Sequence, residues 1–234
     1  MKLKVICHIM GSVDGRVLVG RWSKPFGNRS MADLLKVYSK IGQKLHTDAW
    51  TFGKNTITEI FPDKLVTAAG NVALKDDERV YKAASLTQRK FISIDPDADI
   101  KYASSTLRGD SIVAVVGKCA SMEYLQFLRS IGVSYIVVED IANLRDVLEA
   151  VNREFGVGCI SLQGGGVLDG GMLVQGLIDE LSYVVYPGVD GGADSVSIFN
   201  YVGEGTPHSG QSLELLSAEK LEYGIVWLRY KIHA

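Results

Sequence analysis

The chain has 234 residues, 47% of them hydrophobic and 22% charged, with a formal net charge of −2. That length and apolar content suit one globular α/β domain with a sizeable core. The mixed charge excludes the concentrated basic surface of a general nucleic-acid binder. Cys7, Cys119 and Cys159 are far apart, odd in number and form no Cys-x-x-Cys pair, which excludes a zinc motif or a disulfide framework.

All three cysteines lie within or beside apolar runs, as free thiols of an intracellular protein do. No apolar run reaches the length of a bilayer, and the first ten residues read as a strand rather than a signal peptide. A soluble, cytoplasmic protein without a membrane or nucleic-acid partner is expected.

In chain order, Leu3 to Met10 predicts a buried strand and Gly11 to Gly15 a turn. Leu34, Leu35, Val37, Tyr38 and Ile41 have helical spacing, so Met31 to Ile41 predicts a helix that Gly42 ends. Ala49 to Phe52 is a short strand stopped by Gly53. Phe91 to Ile94, Ile112 to Val116, Tyr135 to Val138 and Cys159 to Leu162 are further strands. Helical patterns fall between them at Ser121 to Ser130 and Asn143 to Phe155, and then at Val167 to Gln175. Leu181 to Tyr186, Leu213 to Ser217 and Ile225 to Ile232 follow as strands without helices between them. The Gly188 to Gly210 stretch reads as a long loop. Alternating strands and helices predict a mostly parallel, mixed sheet covered on both faces, with antiparallel strands at a C-terminal edge. With no linker or repeat, residues 1–234 read as one domain.

The strand ending at Leu162 runs into Gln163, Gly164, Gly165 and Gly166 and then a helix. The first N–H groups of a helix lack internal partners and its dipole favours an anion, while glycines let a ligand approach the backbone. The spacing is not that of the Rossmann fingerprint, and a ligand-free glycine turn remains an alternative for these residues alone.

Three motifs occur in order: Ser12-Val13-Asp14-Gly15-Arg16, Gly53-Lys54-Asn55-Thr56, and Gly164-Gly165-Gly166-Val167-Leu168 followed by Gly176-Leu177-Ile178-Asp179-Glu180-Leu181. Together they resemble the reductase domain of the bacterial riboflavin-biosynthesis deaminase-reductase, within the dihydrofolate-reductase-like superfamily. The resemblance covers residue 5 to about 187; no deaminase zinc pattern is present.

The resemblance implies a three-layer α/β/α fold, a homodimer, NADPH as cofactor and hydride transfer to a heterocyclic small molecule, a ribosylaminopyrimidine 5′-phosphate. It implies that Gly164, Gly165, Gly166, Val167 and Leu168 meet the cofactor pyrophosphate. Gly53, Lys54 and Thr56 would approach the phosphates from another side, and Ser93 the adenosine 2′-phosphate. Ser12, Asp14, Trp22 and Gln163 would border the substrate, and Asp14 and Asp33 are the candidate acids for catalysis. Ordinary structure explains several of these equally: Asp14-Gly15 as a turn pair, Asp33 near a helix start, Lys54 as a surface lysine, and Trp22 and Phe26 as packing. His8 reads as a satisfied core histidine, and Tyr183 and Tyr186 suit a sheet edge or dimer interface.

Two departures matter. Gln163 stands where the riboflavin-pathway enzymes often carry Glu, and an amide cannot accept a proton as a carboxylate does. Asp95 would repel a phosphate at the strand end beside Ser93. A reductase of another heterocycle, such as a pterin, and a nucleotide-binding protein without turnover therefore stay open.

Overall fold

The computed structural model describes residues 3–27, 29–65, 75, 78–204 and 211–233. These fall into two compact units, one of Leu3 with 48–160 and one of 4–47 with 161–234. The fold is α/β with mixed strand directions and antiparallel strands at the C-terminus, as the element order predicts.

In the first unit, β2 (Ala49–Phe52), β4 (Lys90–Asp95), β6 (Asp110–Gly117) and β7 (Ser134–Val138) run parallel, each hydrogen-bonded to the next. They are buried almost throughout, which explains why they read as unbroken apolar runs rather than alternating ones. Two short strands join them antiparallel: β3 (Val80–Tyr81) against β7 and β5 (Thr106–Leu107) against β6. Helices α2 (Lys54–Ile60), α3 (Met122–Ser130) and α4 (Leu144–Phe155) connect them. Ser121 and Asn143 cap α3 and α4 by accepting from the amides of Tyr124 and Asp146. Gly156 closes α4 in the left-handed region, where the lack of Cβ removes the penalty. The core holds Trp50, Phe91, Tyr124 and Tyr135 among aliphatic residues.

The chain passes into the second unit through β8 (Cys159–Leu162). There β1 (Lys4–Ser12) and β9 (Glu180–Tyr186) run parallel, β11 (Val226–His233) lies antiparallel to β9, and β10 (Ser212–Lys220) lies antiparallel to β11. The helices are α1 (Met31–Lys44) and α5 (Gly166–Val174). Trp22, Leu34, Val37, Tyr186 and Trp227 share its core.

Some expectations are corrected and others, the 188–210 loop and the core position of His8, hold. β1 continues through Gly11 and Ser12, which pair with Val185 and Tyr186 instead of turning. α1 runs past Gly42 to Lys44. Gly42 is a packing residue: a Cβ there would press to 3.2 Å from the ring of His8. Tyr183 and Tyr186 are not at a sheet edge, because β9 is flanked by β1 and β11; β10 holds the edge. Within the predicted 188–210 loop no strand forms among the described residues, and 205–210 lie outside them. Cys119 is exposed rather than buried, unlike Cys7. His8 is a core residue, stacked on Tyr38 at 4.2 Å with Nδ1 3.1 Å from Ser182 Oγ.

One buried acid in the second unit has no partner of opposite charge. Asp169 on α5 is fully buried, and neither carboxyl oxygen meets a hydrogen-bond donor at good geometry among the described residues. The buried thiol of Cys7 on β1 lies against it. Burial pushes the Asp169 carboxyl well above its ordinary value of 3.8, with Cys7 pulling it back in part. The folded protein then keeps a proton that the unfolded chain releases. That contribution to stability is complete below the unfolded pKa and is lost as pH rises through the folded one. Asp169→Asn carries no such proton. It is expected to be more stable than the native chain near pH 8 and to show a flatter stability profile from about pH 4 to about pH 8, read as urea midpoints. Parallel profiles for the two proteins would show that the carboxyl is not held neutral.

Candidate functional site

The second unit carries the glycine turn. β8 ends at Leu162, Gln163 and Gly164 follow, and α5 begins at Gly166 with Gly165 as its N-cap. Gly164 has φ +89°, a conformation for which glycine is suited, and the Gly164–Gly165 peptide is cis. Leu168 and Asp169 are the first amides to bond back into the helix, both onto the Gly165 carbonyl. The amides before them have no place in the helical ladder and are donors for an anion.

The glycines do different things. A Cβ on Gly165 would meet nothing within 4 Å, so this residue opens to its surroundings. A Cβ on Gly166 would collide with the Ser197 carbonyl, and one on Gly170 would stand 2.8 Å from the Asn200 backbone. The amide of Asn200 also donates to the Gly166 carbonyl at 2.8 Å. Gly166 and Gly170 are therefore required by the chain's own 197–201 segment, whereas Gly164 packs near Ile9 and only Gly165 faces open space. Val167 is half exposed and Leu168 partly buried on the first turn of α5. Gln163 is partly buried, with its amide nitrogen on Ser161 Oγ at 3.3 Å.

The first loop of this unit is knitted to the 188–198 segment. Val13 donates to the Gly188 carbonyl at 2.8 Å, Val17 to Val196 at 3.0 Å, and Ile198 back to Gly15 at 3.1 Å. Asp14 is the centre of this seam. It accepts from the Ser12 hydroxyl at 2.6 Å and from the amides of Gly191 and Asp190 at 2.8 and 3.1 Å. Those donors, led by Ser12, hold its carboxyl below the usual carboxylate range. Arg16 donates to the Ser195 carbonyl at 2.7 Å, while Arg21 pairs with Asp190 and Asp194 at 3.3 and 3.1 Å. Sequence reasoning missed this seam because its partners lie more than 170 positions apart. The Asp190-Gly-Gly-x-Asp194 run was its only local signal.

This geometry changes several assignments. Asp14 is a fixed anion that shapes the loop and is no proton donor at neutral pH. Asp33 supports the N-cap of α1: the Ser30 hydroxyl donates to its carboxylate at 2.7 Å, and its amide donates to Ser30 Oγ at 3.2 Å. Ser30 and then Lys36 keep its pKa low, so Asp33 serves the helix start. Ser12 is fully buried, with its hydroxyl spent on Asp14. Trp22 is a core residue, tilted on Tyr186 at 4.6 Å, whereas Phe26 in the same loop is wholly exposed.

In the first unit, Gly53 caps α2 and Lys54 opens it, directly after β2. Thr56 lies in that first turn, partly buried. Lys54 Nζ is enclosed by carboxylates: it touches Asp97, lies 3.2 Å from Asp99 and 3.6 Å from Asp95. Asp95 is fully buried and anchors the following turn by accepting from the Tyr124 hydroxyl at 2.7 Å and the amides of Asp99 and Ile100. Ser93 is also fully buried, with its hydroxyl bonded to Tyr102 at 2.7 Å. Ser93 is thus a core residue and not a free phosphate ligand. Among the described residues, no group of three or more metal-binding side chains converges, and no helix is long and apolar enough to cross a membrane.

Two variants separate the glycine roles. Gly166→Ala is expected to cost about 1–3 kcal/mol, because the backbone of 197–201 must yield, and to lower the urea midpoint accordingly. Gly165→Ala should cost less stability and instead weaken binding of a nicotinamide dinucleotide about tenfold or more. Equal stability loss in both, with binding intact, would contradict this division.

The whole chain adopts a fold found in solved reductases of low sequence identity. A pyrimidine reductase-like protein from Corynebacterium diphtheriae superposes with a TM-score of 0.65 at 19% identity, over 100% of this chain and 92% of that one. RibD from Acinetobacter baumannii gives 0.65 at 16% identity, over 100% of this chain and 58% of that one. The riboflavin biosynthesis reductase Rib7 from Saccharomyces cerevisiae gives 0.56 at 13% identity, covering 99% and 90%. The sequence itself matches the RibD C-terminal domain family over residues 3–227. The chain belongs to the RibD C-terminal domain family, the reductase domain of the riboflavin pathway, and is an oxidoreductase of that kind.

Proposed function

We propose that this reductase uses a reduced nicotinamide dinucleotide to reduce a ribosylaminopyrimidine 5′-phosphate. One observation supports the reading above the others: the Gly164–Gly165 turn, with the space beyond Gly165 open and unpaired helix amides beside it. Such a cradle fits a pyrophosphate, which needs close backbone approach and donors rather than a side chain.

The cofactor, when bound, supplies the hydride; the protein's part is to bind, orient and exclude water. Gly164, Gly165, Val167 and Leu168 are assigned to the pyrophosphate side. Gln163, next to the turn, is assigned to the pyrimidine: its amide nitrogen rests on Ser161, which aims its oxygen as an acceptor for a ring N–H. Asp14 holds the loop beside the site through the amides of 190 and 191 and acts as a positioning residue. A second copy of the chain is the proposed partner. β10 is an edge strand on which Leu213, Leu215 and Leu216 are about half exposed, a surface that soluble proteins normally cover. Light scattering should then give twice the 25.5 kDa chain mass; a monomer would remove this assignment.

The activity is tested by cofactor oxidation with the ribosylaminopyrimidine phosphate beside dihydrofolate. Turnover is expected with the pyrimidine and not with the folate. Gln163→Glu should change the KM for the pyrimidine by about tenfold or more while leaving dinucleotide binding unaltered. Turnover of dihydrofolate alone would favour the pterin reading that Gln163 kept open. Dinucleotide binding with no turnover of either would favour a binding protein.

A further inference from the structure

The carboxyl ends of the first unit's parallel strands are where an open α/β sheet receives nucleotides. Their charge is unusual for a surface that takes a cofactor rich in phosphate. Lys54, at the end of β2, is enclosed by Asp95, Asp97 and Asp99. Asp99 is shared with Lys64 at 2.6 Å. Three carboxylates against two ammonium groups leave one negative charge in excess. Lys118, at the end of β6, meets Glu139 at 3.3 Å, a carboxylate that it shares with Arg79. The one hydroxyl on the inner end of β4, Ser93, is sealed against Tyr102. Each described lysine at these strand ends therefore already has a carboxylate partner, and the most exposed charge around Lys54 is the carboxylate of Asp97, 66% exposed.

We infer that these strand ends select NADH over NADPH. The two dinucleotides differ by a single 2′-phosphate. A ribose 2′-hydroxyl donates to a carboxylate, whereas a 2′-phosphate brings about two negative charges and needs a free Arg or Lys. Bringing it beside Asp97 and Asp99 adds like charges, and recruiting Lys54 would strip the buried Asp95 of its counter-ion. Selection here works by repulsion as much as by attraction. The resemblance implies NADPH, but the residues that would hold its additional phosphate do not fit it.

This inference rests on the nicotinamide-dependent reading and is tested by binding rather than turnover. Calorimetric titration of the full chain with NAD+ and with NADP+ gives the two dissociation constants. The expected result is binding of NAD+ about tenfold or more tighter than NADP+. Asp97→Lys, at an exposed position, should tighten NADP+ by about tenfold or more and weaken NAD+, which loses a carboxylate acceptor for its ribose hydroxyl. Asp97→Asn should move the ratio in the same direction by less. Tighter NADP+ binding by the native chain, or a ratio that Asp97→Lys does not move, would overturn the inference alone. Binding of neither dinucleotide would overturn both it and the nicotinamide-dependent reading.

Discussion

The second unit is built around one close approach, the seating of residues 197–201 directly on the first turn of α5. Backbone can lie on backbone there only because positions 166 and 170 lack a Cβ. The Asn200 amide closes the contact on the Gly166 carbonyl. This seating fixes where α5 begins, with Gly164 buried against Ile9 and open space beside Gly165 at the end of β8. It also holds the far end of the 188–198 segment, whose near end is tied to Asp14. The glycine turn and the loop beside it thus share one support, and the proposed phosphate cradle is a preformed surface rather than a flexible glycine run.

The division of labour among acids follows from the same economy of partners. Asp14 and Asp33, the two acids that a motif reading puts forward for catalysis, are both saturated by local donors and stay ionised. Asp95, in the core of the first unit, is served on one oxygen only: Tyr124 and two amides donate to Oδ2, while buried Oδ1 has no hydrogen-bond donor among the described residues and faces Lys54 at 3.6 Å. Asp169 has no such donor on either oxygen among the described residues. Asp14 and Asp33 are thereby each engaged in local structure, one in the first loop and one at the start of α1.

The sheet strands were legible because parallel strands buried on both faces read as continuous runs of Val and Ile, such as Ile112 to Val116. Helix starts were legible from their caps, Ser121 and Asn143. What the sequence could not show was which side of a residue is filled. Gly42 looks like a helix stop and is a contact surface for His8. Gly165 and Gly166 are identical in the sequence, yet one faces open space and the other the Ser197 carbonyl. Ser93 and Lys54 have the right chemistry for phosphate, but Tyr102 and three aspartates reach them first. Those partners are 9 to 45 positions away, beyond the range of local pattern. The membership of the family was readable from the order of three motifs, since each reflects a backbone requirement at a strand end.

The central claim is hydride transfer from a nicotinamide ring to the ribosylaminopyrimidine phosphate, and isotope transfer tests it directly. The protein is incubated with the ribosylaminopyrimidine 5′-phosphate and a reduced dinucleotide deuterated at the transferable position of its nicotinamide. A product that carries one deuterium from the cofactor, with its second new hydrogen from solvent, is the expected result by mass spectrometry. Oxidation of the cofactor with no deuterium in the pyrimidine product, or recovery of unchanged substrate, would contradict it.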